Sequence, residues 1–410
     1  MPALADFAPD TEAGIADVVR AARARAEPLL VHGRGSKLGM LRPVQAAGSL
    51  STRNHAGIGL YAPNELILSA RAGTALAEVE AALAEGGQHL IAEPPDLGAL
   101  LLPDGEAVPQ SLVPQSLGGV VATNLSGPRR VAWGAMRDHV MGVRVVNGAG
   151  EVTRSGGRVL KNVTGLDLCK LLAGSHGTLG VITEVTMKVL PRPERTGSVV
   201  LAGLDSRAGV AALSAGLGSP YAVSGAAWLP PEAAARVEGL PPGPLAILRI
   251  EDLAHSTEYR LGRLTAEMAR FAPPVRLDHE ASLAAWAAIR DARPLRADRG
   301  DAVWRVSVRP SRGPAVLDAA EAAGLRGFLD WGGGLAWLAG PPSEVAHAAV
   351  SRAALASGGA WTLLRAPDAL RAAVAVLPPE VAALAAITRR VKAAMDPGGV
   401  LNPGRMVAGL

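Results

Sequence analysis

The sequence predicts a two-domain protein that mixes α-helices and β-strands. Its 410 residues exceed what one hydrophobic core usually serves. Patterns with the helical period and patterns with the strand period alternate along the chain. A proline-rich break at residues 191–193 follows a strongly alternating strand pattern, so we expect a domain boundary there.

The first part of the chain predicts a regular succession of elements. A helical pattern at residues 11–26 precedes an apolar strand at 28–32, which runs directly into a glycine-rich segment. The later elements are a strand at 65–71, a helix at 75–85 with Thr74 as its N-cap, a short strand near 88–91 and a strand at 181–190. This alternation is typical of an α/β or α+β domain.

The second part predicts another layer of strands and helices. Strand-like runs at residues 245–250 and 303–308 alternate with alanine-rich helical patterns at 256–270, 314–323 and 343–356. The strand at 303–308 leads into Arg309 and also carries Arg305. Both arginines are candidates for binding a carboxylate, but the alternating pattern favours a solvated arginine face.

Charge and hydropathy exclude several classes of protein. The net charge of +4 comes from 41 basic and 37 acidic residues without a block of five like charges, and aromatic residues are few. We therefore expect no nucleic-acid partner. No apolar run approaches the roughly 18 residues of a spanning helix, and the start lacks a basic region followed by an apolar block. A cytoplasmic protein is the resulting expectation.

Cysteine and histidine usage limits the chemistry further. The single cysteine, Cys169, excludes an intrachain disulfide, a CxxC redox pair and a cysteine-ligated iron–sulfur cluster. It lies in an apolar stretch, so we expect a buried thiol. The histidines show no close HxH or HxxxH spacing, so no metal site is predicted.

A tandem repeat interrupts the first domain. Residues 108–112 and 113–117 both read VPQSL, within a proline-rich stretch that begins near residue 97. A five-residue period is too short for a solenoid. We interpret the stretch as an insertion in a surface loop, in preference to a partner-contacting element, because loops accept added length at low entropic cost.

Three glycine-rich segments suggest a ligand site. The first, HGRGSK at residues 32–37, is not a Rossmann fingerprint, because its spacing is GxGxxxG and Pro43 interrupts where the helix should run. It is either an anion-binding turn or an ordinary one. The others, residues 116–130 and 174–180, combine glycines with small side chains that let a ligand approach the backbone closely. Three such loops in one domain favour a binding site.

The order of these segments resembles a known superfamily. GxGS, then LGGxxATNxSG, then GSxGTLGVIT followed by MKVLPRP are similar to the FAD-binding domain of the vanillyl-alcohol-oxidase and p-cresol-methylhydroxylase (PCMH) superfamily. More narrowly, the chain resembles the family of E-type, FAD-binding subunits of bacterial glycolate oxidase. The narrower match rests on EPP at 93–95, SGPRR at 126–130, residues 136–151 and 156–168, WRVSV at 304–308, DWGG at 330–333 and DPGGVLNPGRM at 396–406.

The resemblance implies an α+β fold with a particular domain plan. A two-lobed PCMH-type FAD-binding domain would span residues 1–193, with the insertion at about 97–115. A smaller ferredoxin-like α/β cap domain would span 194–378. The C-terminal helix and tail, 379–410, would pack back on the FAD-binding domain.

The resemblance also implies an FAD site. Its cofactor-binding residues would be Gly33, Arg34, Gly35, Ser36, Lys37, Pro94, Gly118, Gly119, Ala122, Thr123, Asn124, Ser126, Gly127, Gly174, Ser175, Gly177, Gly180, Ile182, Asn402 and Arg405. The first five of these residues, together with Gly118 and Gly119, would hold the pyrophosphate. FAD would be bound non-covalently, because His32 precedes the glycines whereas the tethering histidine of relatives follows them. Arg137 and Asp138 fit a ligand contact or a structural ion pair equally well.

The function implied is that of an FAD-binding subunit in a complex that oxidises glycolate or another small 2-hydroxy acid. A catalytic flavoprotein of the D type and an iron–sulfur protein of the F type would be its partner subunits, and the complex would hold it at the inner face of the cell membrane. Two alternatives stay open: a self-contained oxidase of glycolate or D-lactate, and a structural subunit with a vestigial flavin site. Leu166 stands where the superfamily usually has tyrosine, and Ala360 where the E-type subunits usually have histidine. No catalytic residue is assigned.

Overall fold

The structure, a computed structural model, describes residues 5–101, 114–157 and 166–410. Its helices are α1 Glu12–Arg25, α2 Leu76–Glu85, α3 Gly98–Leu101, α4 Leu117–Thr123, α5 Arg130–Trp133, α6 Leu168–Leu172, α7 Ser206–Leu217, α8 Pro231–Ala234, α9 Ala254–Met268, α10 His279–Arg290, α11 Gly313–Ala322, α12 Glu344–Ala356, α13 Asp368–Ala373 and α14 Ala382–Met395. None of these helices is both long enough and apolar enough to cross a membrane.

The strands in the same part of the chain are β1 Ala5–Phe7, β2 Leu29–His32, β3 Gly48–Ser51, β4 Ile58–Ala62, β5 Ile67–Arg71, β6 Gln88–His89, β7 Val140–Val146, β8 Val152–Gly156, β9 Val181–Lys188, β10 Leu190–Pro191, β11 Arg195–Ala202, β12 Gly225–Leu229, β13 Leu245–Asp252, β14 Pro274–Leu277, β15 Ala302–Ser307, β16 Arg326–Asp330, β17 Leu335–Gly340 and β18 Ala360–Arg365. The prediction of mixed α and β structure is confirmed.

The chain divides into two compact units. Unit 1 comprises the described parts of Met1–Leu125, Ala135–Arg192 and Pro379–Leu410, and unit 2 comprises Ser126–Gly134 and Pro193–Pro378. The chain therefore enters unit 2 twice, once for a short excursion and once for a long one.

Unit 1 contains three sheets. A parallel sheet has the strand order β1-β3-β2, and an antiparallel sheet has the order β4-β5-β9-β7-β8. The short strands β6 and β10 form a separate antiparallel pair. The C-terminal tail pairs with the edge strand β2 of the parallel sheet. Leu29 donates to the carbonyl of Val400 at 2.8 Å, and Asn402 donates to the carbonyl of Leu29 at 3.1 Å.

Local signals explain where α1 begins but not where α2 does. Thr11 caps α1 as its hydroxyl accepts a hydrogen bond from the Gly14 amide at 3.1 Å. The predicted capping of α2 by Thr74 is wrong: the helix begins at Leu76 after Ala75, which makes no side-chain cap. The Thr74 hydroxyl instead donates to the carbonyl of Arg71 at 2.7 Å. This hydroxyl therefore stabilises the turn before α2 and does not cap the helix.

Two apolar clusters hold unit 1 together. One joins α1 to the parallel sheet and the tail through Ile15, Val19, Leu29, Leu50 and Leu401, all at most 2% exposed. The other packs α2 and α4 onto the antiparallel sheet. Burying such side chains removes apolar area from water at about 25 cal/mol per Å². The packing therefore fixes α4 beside the ends of strands from both sheets.

Unit 2 is built on one eight-stranded antiparallel sheet with the order β14-β11-β13-β12-β16-β17-β15-β18. Helix α7 packs on one face, where a Cβ on Gly209 would lie 2.2 Å from the Trp228 ring. Helix α10 packs on the other face, where the Trp286 indole donates to the Ser198 hydroxyl at 2.9 Å. The alternation of residues along each strand therefore supplies a core on both sides of this sheet.

Candidate cofactor site

A cleft in unit 1 gathers the three glycine-rich segments and the C-terminal tail. Its volume is about 690 Å³ when the space at its open mouth is included. The residues that line it are Val31, His32, Gly33, Arg34, Gly35, Ser36, Lys37, Leu38, Thr52, Ser116, Gly118, Gly119, Ala122, Thr123, His176, Gly177, Gly180, Val181, Ile182, Asn402 and Arg405.

The first wall is the turn that follows β2. Gly35 adopts φ of +88°, and the Leu38 amide donates to the Gly35 carbonyl at 3.2 Å to close the turn. Within the described ranges, the backbone amides of residues 34–37 donate to no protein acceptor. A run of such amides in a tight turn forms a concavity that binds phosphate or another anion.

Positive charge is concentrated in this cleft. Arg34, Lys37 and Arg405 line it, and its lining residues include no aspartate or glutamate. The Lys37 ammonium donates to the amide oxygen of Gln115 at 2.6 Å, and burial lowers the pKa of Lys37 to about 8, although the charge of Asp96 opposes this shift. A bound anion would compensate this poorly solvated cation.

The second wall is α4, where glycine is required by close packing. A Cβ on Gly118 would lie 2.5 Å from the Cβ of Ala72, and a Cβ on Gly33 would lie 2.0 Å from the Ser116 hydroxyl. The Gly118 amide donates to the Ala72 carbonyl at 2.9 Å, so it holds the helix against the chain after β5. These glycines let α4 lie close to the chain after β5 and to the turn after β2.

The third wall is the turn before β9. Gly177 has φ of +72°, and a Cβ on it would lie 2.9 Å from the side-chain nitrogen of Asn402. Burial, together with the charge of Arg405, lowers the pKa of His176 to about 3. The imidazole of His176 is therefore neutral at physiological pH and adds no positive charge to the cleft.

The tail acts as a clamp between two walls. The Asn402 side chain accepts from the Val31 amide at 2.8 Å and donates to the carbonyls of Val31 at 2.9 Å and His176 at 2.8 Å. Arg405 donates to the Lys37 carbonyl at 2.9 Å. Asn402 thus lines the cleft, but its polar groups bind protein and hold β2 beside the third wall.

Some predicted site residues lie outside this cleft. Asn124 ends α4 with φ of +50° and accepts from the Arg137 amide at 3.0 Å. Gly127 accepts from the Trp331 indole at 3.1 Å within unit 2. The predicted residues outside the cleft lining are Pro94, Asn124, Ser126, Gly127, Gly174 and Ser175.

Other lining residues were not named as binding residues in advance, although most of them lie within or beside the predicted glycine-rich segments. Thr52 follows β3, which pairs with β2, and its amide donates to the His32 carbonyl at 3.0 Å. His176 and Val181 adjoin predicted glycines, so their position in sequence was the available signal. His32 lies with its Nδ1 atom 3.0 Å from the Gly33 carbonyl oxygen, and burial lowers its pKa.

The structure decides between several sequence alternatives. Arg137 and Asp138 form an exposed ion pair at 3.7 Å and do not line the cleft. The first VPQSL copy and part of the insertion fall outside the described residues, but Gln115 in the second copy is buried and binds Lys37. The surface-loop interpretation is therefore wrong for the end of the insertion, which packs behind the first wall.

Arg305 departs from the predicted solvated face. Arg309 is exposed, but Arg305 is half-buried and its guanidinium carbon lies 4.9 Å from the centre of the Trp337 ring. The prediction fails for Arg305 because the neighbouring strand β17 places this tryptophan directly opposite it. Cys169 is buried as predicted, and burial raises the pKa of its thiol.

Comparison with known proteins gives this geometry a context. Residues 3–156 match the family model described as FAD binding domain. The chain is 34% identical over 383 residues to glycolate oxidase subunit GlcE of Escherichia coli strain K12, covering 93% of each chain. It is 42% identical over 86 residues to glycolate oxidase subunit GlcD of Bacillus subtilis strain 168, which is 21% of this chain and 18% of that protein.

A solved structure shows the same fold at low sequence identity. The 4-ethylphenol oxidase from Gulosibacter chungangensis, in its isoeugenol complex, superimposes with a TM-score of 0.71 at 14% identity, covering 98% of this chain and 89% of that one. The PCMH-type fold predicted from the glycine-rich motifs is confirmed. With the identity over nearly its full length, the chain belongs to the GlcE family and is an FAD-dependent oxidoreductase subunit.

Proposed function

We propose that this chain is the FAD-binding subunit of a complex that oxidises glycolate or another small 2-hydroxy acid, and that its FAD lies non-covalently in the cleft of unit 1. The observation that carries the proposal is the meeting of all three glycine-rich segments and the tail around one cleft. Under this proposal unit 1 is the FAD-binding domain and unit 2 the cap domain.

The residues of the cleft fit the chemistry of FAD. The backbone amides of residues 34–37, which find no acceptor among the described residues, suit the pyrophosphate, because it carries negative charge and accepts hydrogen bonds. Lys37 and Arg405 add positive charge at the same turn. Gly118 and Gly119 line the cleft at α4, where a flat ligand would lie against the helix. When bound, FAD supplies an acceptor for the electrons of an alcohol carbon.

The protein's own groups position the cofactor in this proposal. Asn402 holds β2 and the Gly177 turn at a fixed separation, which preorganises the site before binding. The Ser116 hydroxyl accepts from the Gly119 amide at 3.3 Å, and the Thr123 hydroxyl donates to the Gly119 carbonyl at 2.9 Å. A site held in this way loses little entropy when the ligand binds.

Non-covalent attachment is supported by the surroundings of His32. Its Nδ1 atom already lies against the Gly33 carbonyl, and it precedes the turn. Denaturing the flavin-loaded protein should release all of the yellow colour from the polypeptide. Colour that migrates with the chain on a denaturing gel would contradict this part of the proposal.

The proposed partners follow from what this chain lacks. Its sequence contains one cysteine, which cannot ligate an iron–sulfur cluster alone. Its relatives GlcE and GlcD are both subunits of glycolate oxidase, and they guide this assignment. We therefore propose a D-type flavoprotein and an F-type iron–sulfur protein as partner subunits, in a complex that lies peripherally at the inner face of the cell membrane.

Purification of the tagged chain from its native locus tests the assembly. We expect a second flavoprotein and an iron–sulfur protein to copurify, with more than one flavin per copy of this chain. Recovery of this chain without either partner would contradict the proposal. Rapid, stoichiometric bleaching of the isolated chain's flavin by glycolate would instead identify a self-contained oxidase.

A further inference from the structure

A cationic and aromatic cluster in unit 2 stands apart from the cleft described above. Arg305 extends from β15 and lies over two indole rings, with its guanidinium carbon 4.9 Å from the centre of the Trp337 ring and 5.4 Å from that of Trp331. Arg130, from α5, lies 4.6 Å from the centre of the Trp331 ring. One indole therefore contacts two cations.

Arg305 has donors without acceptors. Its Nε atom is fully buried and has no hydrogen-bond partner, and no residue in the described ranges forms an ion pair with its guanidinium. Polar atoms buried in this way are nearly always satisfied in native proteins, by protein, water or a ligand. A half-buried cation without an ion-pair partner, one of whose N–H groups is buried and unsatisfied, marks a place where an anion is expected.

The surrounding charges strengthen this expectation. Burial and, to a lesser extent, the nearby charge of Arg130 lower the pKa of Arg305 to about 10, while the charge of Asp330 acts in the opposite direction. The Asp330 carboxylate accepts from the Trp331 amide at 2.6 Å. An anion placed at Arg305 would reduce the repulsion between the two guanidinium groups.

The backbone that carries Trp331 is held in an unusual conformation. Trp331 has φ of +55°, a left-handed value that is rare for a large side chain, and Gly332 and Gly333 continue the turn at +68° and +102°. Its indole nitrogen donates to the Gly127 carbonyl at 3.1 Å. Strained residues of this kind persist where the surrounding structure requires them, and they concentrate at binding sites.

We infer that Arg305, Trp331 and Trp337 form a binding site for a small carboxylate. Both ring centres lie within 5.4 Å of the guanidinium carbon, and the Nε–H of the same group has no hydrogen-bond partner. A carboxylate accepts two parallel hydrogen bonds from the edge of a guanidinium group. That this carboxylate is the 2-hydroxy acid substrate rests on the proposed function. The existence of a carboxylate site does not rest on it.

Titration of the full flavin-loaded chain with oxalate and with glycolate tests the inference. Tryptophan fluorescence should change saturably with both, at constant ionic strength, because two of the reporting indoles contact the site. Inorganic phosphate, the alternative oxyanion, should bind at least tenfold more weakly. Tighter binding of phosphate than of either carboxylate, or no saturable change with any of the three, would overturn the assignment.

Variants separate a binding role from a structural one. Arg305→Gln should raise the dissociation constant for oxalate at least tenfold, Arg305→Lys should raise it less, and Arg309→Gln, at the exposed neighbour, should leave it unchanged. Without ligand, Arg305→Gln should melt at the wild-type temperature or higher, because it removes a charge without an ion-pair partner and a buried, unsatisfied N–H group. A lower melting temperature with unchanged oxalate affinity in Arg305→Lys would show a structural role and overturn the inference.

Flavin content distinguishes this inference from the proposed function. The number of FAD molecules per chain is measured for the wild type and each variant, and it should not change. Carboxylate binding by a chain that holds no FAD would contradict the proposed function and support the inference. A full complement of FAD without any carboxylate response would overturn the inference and leave the proposed function standing.

Discussion

Gly177 illustrates how single residues define the cleft. Its φ of +72° suits glycine, and the Asn402 side chain occupies the space that a Cβ would need. At Lys37 the defining property is electrostatic. Burial of its ammonium group, and not a neighbouring cation, is the main cause of its lowered pKa. Each of these two features belongs to a single residue and can be tested by one substitution.

Gly177→Val should abolish most FAD binding. A β-branched residue in the left-handed region costs about 1–3 kcal/mol, and its Cβ would displace the Asn402 amide. We expect FAD affinity at least tenfold weaker, measured by quenching of flavin fluorescence. Gly87→Val is the matched control, because Gly87 has φ of +66°, its Cβ would meet no atom within 4 Å, and it lies outside the cleft. Equal loss in both variants would refute a specific role.

Lys37 should make FAD affinity depend on pH. Its pKa of about 8 in the free protein would rise when a phosphate binds beside it, so binding above pH 8 takes up a proton. Affinity should therefore be constant below pH 7 and fall about tenfold between pH 7 and pH 9. Lys37→Gln should remove this decline, whereas Lys188→Gln, on β9 and outside the cleft, should keep it. A flat profile for the wild type would contradict the assignment.

At the scale of elements, α14 fastens the tail to unit 1. The buried ammonium of Lys392 donates to the carboxylate of Asp396 at 2.7 Å and to the carbonyls of Thr178 at 2.8 Å and Leu401 at 2.9 Å. Asp396 also accepts from the Leu401 amide at 2.9 Å. One buried ion pair thus joins a helix, the third wall and the strand-like tail.

Lys392→Met should destabilise unit 1 and weaken FAD binding together. It leaves Asp396 buried without its cation, a change that typically costs about 3–5 kcal/mol. Urea unfolding would measure the loss, and FAD content would show whether the clamp has moved. Arg390→Met, at an exposed position of the same helix, should change neither quantity. The double variant Lys392→Met with Asp396→Asn should recover part of the stability, and no recovery would argue against the ion pair as the cause.

At the scale of the whole molecule, the chain leaves unit 1 after Leu125 and returns at Ala135. A buried ion pair fixes this excursion within unit 2. Arg129 donates through two nitrogens to the Glu251 carboxylate, each at 2.8 Å, and the Glu251 side chain is fully buried. Although burial alone would raise it, Arg249 and Arg129 hold the pKa of Glu251 well below its usual range.

This carboxylate should contribute to acid sensitivity. A depressed folded-state pKa adds stability that is present above the unfolded value of 4.5 and is lost as the pH falls below it. The wild type should therefore lose stability more steeply than Glu251→Gln between pH 5 and pH 3, as followed by thermal unfolding. Asp318→Asn, which removes an exposed pair in the same unit, should behave like the wild type. Identical slopes for wild type and Glu251→Gln would contradict the argument.

Local sequence signals determined much of this protein. Periodicity placed the strands and helices that it predicted within a few residues, because side-chain alternation is a property of the chain itself. It did not predict β7, β11, α7 or α10. The glycine-rich motifs predicted the family and most of the cleft, because close backbone approach requires glycine at fixed positions. The single cysteine by itself excluded disulfide, CxxC and iron–sulfur chemistry within the chain.

Contacts between distant residues decided the rest. Lys37 meets Gln115 from the end of the insertion, Val31 meets Asn402 from the tail, and Thr52 reaches the cleft only because two strands pair. Arg305 is only half-exposed because β17 sets Trp337 beside it, although its own strand pattern favoured a solvated side chain. Such burial depends on which segments pack together, a property of the folded chain that neither spacing nor composition contains.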